Sequence, residues 1–181
     1  DSYDLRKEIA AFHGIHPDQV LVGNGANEVI TFVIKAFCEP GDNIVTADRT
    51  FAVYEWVAVF SGIEARVVPL KDGRFDDPAM LGRIDDATKV IFLCNPNNPT
   101  GTYWSRDTLV AFLEAVGGRQ IVVVDEAYFE FVEAGDYPDG VSLVGAYPNV
   151  VAFRTFSKMY GIAGLRRSEE HTSELQSPYV I

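Results

Sequence analysis

The stretch Ile121-Val122-Val123-Val124-Asp125-Glu126-Ala127-Tyr128 contains a strongly apolar strand pattern, and that pattern ends on two acids. Four consecutive β-branched residues predict a strand buried on both faces, as in the interior of a parallel sheet. An unpaired carboxylate at the end of such a strand is unfavourable, so we expect Asp125 to have a partner. A protonated ring nitrogen of a ligand would suit it. The alternative, a structural acid bonded to backbone amides, fits Glu126 better than Asp125.

Helical and extended patterns alternate along the rest of the chain. The alternation predicts an α/β fold with a mainly parallel sheet and helices on both faces. Apolar spacing and turn residues predict helices at 4–12, 52–60 and 105–116, with Gly14 ending the first and Ser105 capping the last. A further helix follows Gly25, with Val29 to Phe37 on its inner face, and is closed by Pro40-Gly41-Asp42. Asp77-Pro78 predicts the cap of a further short helix. Strands are predicted at 19–22, 43–47, 65–70, 89–94, 120–124 and 150–153.

Four polar segments follow predicted strands, at residues 23–28, 95–101, 125–128 and 155–158. Ligands of open α/β sheets bind outside the carboxyl ends of the strands. Four unrelated surface loops would have no reason to share one edge of the sheet. We therefore expect the four segments to form one ligand site.

Two of these segments differ in how specific they are. Gly23-Asn24-Gly25-Ala26-Asn27-Glu28 opens a helix, and free amides at a helix start attract an anion. Taken alone, this segment is better explained by an ordinary strand-to-helix turn. Asn95-Pro96-Asn97-Asn98-Pro99-Thr100-Gly101 is more specific, because two prolines fix the loop and thereby aim the asparagine amides.

Thr155-Phe156-Ser157-Lys158-Met159 follows the last predicted strand, and Arg166 lies eight positions after the lysine. A lysine held near a pocket can form a Schiff base with a carbonyl compound. Serine and arginine side chains can hold a phosphate. These are the requirements of a pyridoxal phosphate site, whereas a lone solvated surface lysine is the alternative for Lys158.

From residue 1 to residue 166 the chain resembles the large domain of the fold type I pyridoxal phosphate aminotransferases. Within that superfamily it is most similar to the histidinol-phosphate aminotransferases. An Asn-Pro-x-Asn-Pro-Thr-Gly loop combined with a distant Ser-Lys pair and a following arginine is specific for the superfamily. The likeness is carried by residues 21–28, 36–42, 95–101, 125–131 and 154–166.

The resemblance implies a role for each matching residue toward pyridoxal 5'-phosphate. Lys158 would be the catalytic residue, forming the Schiff base and moving a proton between the substrate's α-carbon and the cofactor. Asp125 would pair with the pyridine nitrogen and keep it cationic. Asn98 and Tyr128 would hydrogen-bond the phenolic oxygen.

Further positions would hold the phosphate and the ring face. Phe51 would stack on the ring, where many relatives carry tyrosine, although a core aromatic explains Phe51 as well. The resemblance implies no metal site. The phosphate would be held by Gly25, Ala26, Asn27, Ser157 and Arg166.

The resemblance also carries expectations about the whole protein. The intact parent would transfer an amino group from histidinol phosphate to 2-oxoglutarate in histidine biosynthesis, as a cytoplasmic homodimer. Residues 1–166 would be a partial cofactor-binding large domain, and residues 167–181 would be a non-native tail derived from a sequencing adapter. We expect this fragment to be inactive and poorly stable. Tyr54, Trp56 and Trp104 are candidates for either the dimer interface or the core.

Composition excludes some classes of protein. With 181 residues the chain can form one domain with a sizeable core. The formal net charge of −11 argues against nucleic-acid binding through a basic face. No apolar run approaches the length of a membrane span. Cys38 and Cys94 lie far apart in apolar surroundings, which favours reduced thiols over a disulfide.

Several functions remain open at this point. Another aminotransferase, aromatic or otherwise, would share every residue named above. A decarboxylase or a carbon–sulfur lyase with the same cofactor would share them too, because a fold does not fix a reaction. A non-catalytic binding protein or a decayed homologue would be expected to lose Lys158. A nicotinamide-dependent enzyme is disfavoured, since Glu28 replaces the third glycine of the dinucleotide fingerprint.

Overall fold

The sheet is the centre of the fold. A computed structural model describes residues 2–163 and the backbone of residues 179–180. The strand order is β2-β1-β3-β4-β5-β6, and the first five of these strands are mutually parallel. The predicted parallel α/β architecture is confirmed. The strands are β1 (Asn43–Ala47), β2 (Glu64–Val68), β3 (Thr88–Cys94), β4 (Ile121–Asp125), β5 (Val150–Thr155) and β6 (Tyr179–Val180).

Helices cover the sheet. All five residues of β1 are buried, and so are four of the five in β4, which requires cover on both faces of the sheet. In the part of the chain that the structure describes, no helix is long and apolar enough to cross a membrane. The helices are α1 (Tyr3–His13), α2 (Ala26–Phe37), α3 (Val53–Phe60), α4 (Asp77–Leu81), α5 (Arg106–Val116) and α6 (Gly140–Val144), with 3-10 turns at Pro17–Gln19 and Phe129–Phe131.

Most helix ends lie where the sequence predicts them. Gly14 ends α1 in the left-handed region at φ 68°, and the Ser105 hydroxyl accepts the amide of Thr108 at the start of α5. The predicted cap of α4 is wrong by one residue. Asp76, rather than Asp77, accepts the amide of Ala79 there, because Pro78 sits in the first turn of the helix.

The strand predicted at 19–22 is absent. These residues form the end of a 3-10 turn and an extended segment that pairs with no strand among residues 2–163 and 179–180. Val20 and Val22 are buried against α1, in a small cluster separate from the main core. The Arg6 guanidinium donates to the Val20 carbonyl at 2.8 Å, so a side chain satisfies a group that a strand would have paired.

β6 lies in the segment that the sequence excludes from the fold. Its two residues pair antiparallel with β5 through Arg154↔Val180 and Thr155↔Tyr179. A sheet edge offers unpaired backbone groups to any extended segment, so this pairing needs no specific side chain.

A buried ion-pair network lies beneath β5. The Arg154 guanidinium donates to Glu126 at 3.0 Å and to Asp139 at 2.6 Å, and it lies 3.5 Å from the Phe129 ring centre. Glu126 is fully buried and also accepts the Gly140 amide at 2.7 Å. Burial raises the pKa of Glu126 to about 7, and the Arg154 charge opposes that rise. Of the two neighbouring acids Asp125 and Glu126, Glu126 is thus the structural one.

We expect Arg154→Met to lower the free energy of unfolding by about 3–5 kcal/mol, because it leaves a buried carboxylate without its cation. Arg154→Met combined with Glu126→Gln should recover part of the loss. Arg66→Met is the control, since Arg66 and Asp85 form an exposed pair at 2.6 Å, and solvent screening makes the loss of such a pair small. Urea unfolding measures all three, and equal losses for Arg154→Met and Arg66→Met would contradict the account.

Candidate functional site

A cavity of about 180 Å³ opens where β3, β4 and β5 end. Its lining comes from all four polar segments that the sequence singles out, together with Phe51, Cys94 and Ala163. The predicted convergence of these segments is therefore observed. The lining residues are Ala26, Asn27, Phe51, Cys94, Asn98, Asp125, Ala127, Tyr128, Thr155, Ser157, Lys158 and Ala163.

Asp125 is the last residue of β4 and has only 3 % of its surface exposed. One carboxylate oxygen accepts the Tyr54 hydroxyl at 2.5 Å, and the other accepts the Ala127 amide at 3.0 Å. Burial raises the pKa of Asp125, while the Tyr54 hydrogen bond, the Ala127 amide and the Lys158 charge lower it. Among the residues that the structure describes, Asp125 forms no ion pair.

The asparagine-proline loop is fixed by its own side chains. Asn97 is buried; its amide nitrogen donates to the Arg49 carbonyl at 2.9 Å and its oxygen accepts the Thr50 hydroxyl at 2.7 Å. The backbone amide of Asn98 approaches the Cys94 sulfur at 3.4 Å. These bonds tie the loop to the segment that carries Phe51 and leave the Asn98 side chain on the cavity wall.

The start of α2 forms another wall. Gly25 precedes the helix at φ 97°, in the region that favours glycine. The turn is closed by the Glu28 carboxylate, which accepts the Asn24 amide at 2.6 Å. The first-turn amides of a helix have no intrahelical acceptor, and here they border the cavity at Ala26 and Asn27.

Lys158 lies on the side of the cavity that faces solvent. Its ammonium nitrogen is 5.3 Å from the centre of the Tyr128 ring, and the residue is exposed. The preceding turn is held by the Ser157 amide, which donates to the Thr155 hydroxyl at 3.0 Å. The lysine can therefore reach a ligand in the cavity without breaking an ion pair with any residue that the structure describes.

Most of the ten predicted site residues lie at the cavity. Eight of the ten line the cavity, and the ninth, Gly25, stands one residue before the lining. The tenth, Arg166, lies outside the described residues. Four larger cavities among the described residues, of about 470, 450, 290 and 250 Å³, contain neither Lys158 nor Asp125.

Sequence reasoning missed the contact between Tyr54 and Asp125. Tyr54 is fully buried and belongs to the core, as does Trp104, whereas 58 % of Trp56 is exposed. Position 54 follows Phe51 by three residues, which is one helical turn, and that spacing is the only signal that could have placed it near the site. The sequence also missed Cys94 and Ala163 on the cavity wall, whereas Ala127 and Thr155 belong to the predicted segments without an assigned role.

Comparison with known proteins identifies the family. Residues 1–167 match the model of the family described as Aminotransferase class I and II. The chain belongs to this aminotransferase family. Curated relatives named histidinol-phosphate aminotransferase occur in Geobacillus sp. (strain WCH70), at 47% identity over 90% of this chain, and in Geobacillus thermodenitrificans (strain NG80-2), at 49% identity over 90%. This chain spans 44% of the length of each.

Solved aminotransferase structures share the fold. Histidinol-phosphate aminotransferase from Sinorhizobium meliloti, in complex with pyridoxal-5'-phosphate, matches with a TM-score of 0.86 and 29% identity over 99% of this chain and 46% of its own. L-threonine-O-3-phosphate decarboxylase from Porphyromonas gingivalis matches with a TM-score of 0.79 and 25% identity over 100% of this chain and 49% of its own. The cofactor of the aminotransferase family is pyridoxal phosphate.

The cavity of this chain fits that cofactor. Asp125 is a buried carboxylate that lacks an ion-pair partner among the described residues, and a protonated ring nitrogen would supply one. The helix start at Ala26 suits a phosphate, and Lys158 lines the same cavity. The donors and acceptors present therefore match the two ends of the cofactor.

We expect Gly25→Ala to weaken pyridoxal phosphate binding by about fivefold, corresponding to roughly 1 kcal/mol for an anion at a helix start, because a side chain strains the turn at φ 97°. Gly62→Ala is the control, since Gly62 also has a positive φ, of 75°, but follows α3 away from the cavity. Absorbance titration of both variants measures the dissociation constants. Equal weakening in the two variants would mean that the turn at Gly25 has no specific role.

Proposed function

We propose that the complete gene product containing this chain transfers the amino group of histidinol phosphate to 2-oxoglutarate, with pyridoxal phosphate as cofactor. The observation that carries the proposal is the meeting of Lys158, Asp125 and the start of α2 in one cavity. The identities of 47–49% to relatives named histidinol-phosphate aminotransferase support the choice of substrate.

The cofactor, when bound, supplies an electron sink for the bonds at the substrate's α-carbon. Asp125 would accept a hydrogen bond from the ring nitrogen and stabilise its positive charge. Asn98 and Tyr128 would hydrogen-bond the phenolic oxygen. Phe51 would stack on the ring face.

The phosphate would be held by the amides of Ala26 and Asn27, by Ser157, and by Arg166, as the family resemblance implies. Lys158 would move the proton at the substrate's α-carbon as a general base, because it lines the cavity in which the cofactor would bind. Gly25 contributes by shaping the turn that presents the amides.

The proposal includes a cytoplasmic homodimer. Cys38 and Cys94 are unpaired, which suits a reducing compartment. Trp56, Val59 and Phe60 on α3 expose 58 %, 58 % and 88 % of their surface, and apolar side chains exposed together favour a contact with a second subunit.

A half-reaction tests the proposed function. The complete gene product is loaded with pyridoxal phosphate and mixed with histidinol phosphate in the absence of a keto acid. We expect the cofactor to be recovered as pyridoxamine phosphate, detected by mass spectrometry, and 2-oxoglutarate to restore it. Lys158→Ala should reduce the rate by about a thousandfold or more, as expected when a general base and nucleophile is lost. Light scattering of the same preparation tests the dimer.

The alternatives give different results in the same assay. A cofactor that remains pyridoxal phosphate with histidinol phosphate but reacts with an aromatic amino acid would contradict the substrate and favour another aminotransferase. Release of carbon dioxide from an amino acid would favour the decarboxylase chemistry named for the Porphyromonas gingivalis neighbour. Failure to bind the cofactor would contradict the proposal as a whole.

A further inference from the structure

We propose that Tyr54 is a positioning residue for the cofactor: its hydroxyl holds Asp125 as the carboxylate that faces the ring nitrogen. This inference rests on the proposed function, because it concerns the same cavity. It assigns a task to a buried side chain that does not line the cavity and that the roles given above leave unused.

The geometry gives each oxygen of Asp125 one donor. The Tyr54 hydroxyl donates to Oδ2 at 2.5 Å, and the Ala127 amide donates to Oδ1 at 3.0 Å. A hydrogen bond to a charged acceptor is stronger than one between neutral groups, and a short one fixes direction as well. The plane of the carboxylate is thus set before any ligand binds, with its outer edge on the cavity wall.

Tyr54 acts as a donor toward Asp125. Burial and then the nearby Asp125 charge raise the pKa of Tyr54, so the phenol keeps its proton. Burial by itself favours the protonated form of Asp125, and the Tyr54 hydrogen bond is the largest effect that opposes it. Without the hydroxyl, the shared proton would move toward Asp125 and away from the ring nitrogen. A neutral carboxyl would then no longer stabilise a cationic ring.

The ring of Tyr54 is also held in place, by two aromatic contacts. It stacks on Phe92 of β3 with a centroid distance of 4.7 Å and an interplanar angle of 11°. It also meets Phe51 edge to face at 5.6 Å. Tyr54 therefore contacts both Asp125, the proposed partner of the ring nitrogen, and Phe51, which is proposed to stack on the ring face.

Tyr54→Phe tests the inference, since it keeps the ring and removes only the hydroxyl. The dissociation constants of the complete gene product are measured for pyridoxal phosphate and for its 1-deaza analogue, which carries carbon in place of the ring nitrogen. We expect binding of pyridoxal phosphate to weaken by about tenfold or more, the usual effect of losing a hydrogen bond to a charged group. Binding of the 1-deaza analogue should change by less than about twofold, because it has no nitrogen for Asp125 to hold.

Tyr147→Phe is the matched control. The Tyr147 hydroxyl also donates to a carboxylate, that of Glu114 at 2.7 Å, but this pair is exposed and lies away from the cavity. Both dissociation constants should stay at the wild-type value. A protein that unfolds at a lower temperature with an unchanged ratio of the two constants would show a structural role for Tyr54 and overturn the inference.

A second variant covers the case in which Tyr54→Phe does not fold. Incorporation of 3-fluorotyrosine at position 54 keeps the shape and strengthens the donor, so the ratio of the two constants should move in the direction opposite to Tyr54→Phe. An unchanged ratio would overturn the inference. If the wild-type complete gene product binds neither pyridoxal phosphate nor its 1-deaza analogue, the proposed function fails. That result is distinct from failure of the Tyr54 assignment.

Discussion

A buried carboxylate at the carboxyl end of a central parallel strand is the constraint on which this site depends. Asp125 has almost no contact with water, and no cation among the described residues pairs with it. A charge in that position needs donors, and Tyr54 and Ala127 provide them. Asp125 also lines the cavity, where a ligand can approach its carboxylate.

Parallel strand pairing brings the remaining groups to the same place. Asp125 lies beside Cys94 in the β3–β4 register and beside Phe153 in the β4–β5 register. The loops that follow these strands must therefore leave the sheet side by side, as expected for the carboxyl edge of an open α/β sheet. The neighbouring acid, Glu126, has a different task, because it points into the Arg154 network and holds the scaffold together.

Much of this arrangement could be predicted from the sequence, because the signals were local. The β-branched run before Asp125 predicts a buried strand, and the prolines around Asn97 predict a fixed loop; both are observed. The strand predicted at 19–22 is wrong because Val20 and Val22 pack on α1, and only tertiary contacts decide between those two uses of an apolar pair. The Tyr54–Asp125 bond joins positions 71 residues apart, so no local pattern reveals it.

The most direct test of the account is the site of covalent attachment. The 181-residue chain contains five lysines, Lys7, Lys35, Lys71, Lys89 and Lys158. The chain is incubated with pyridoxal phosphate near equimolar concentration, reduced with borohydride, digested and mapped by mass spectrometry. The account predicts that the phosphopyridoxyl group is found on the peptide that contains Lys158 and that Asp125→Asn lowers its yield. Equal labelling of all five lysines in a folded chain would contradict it.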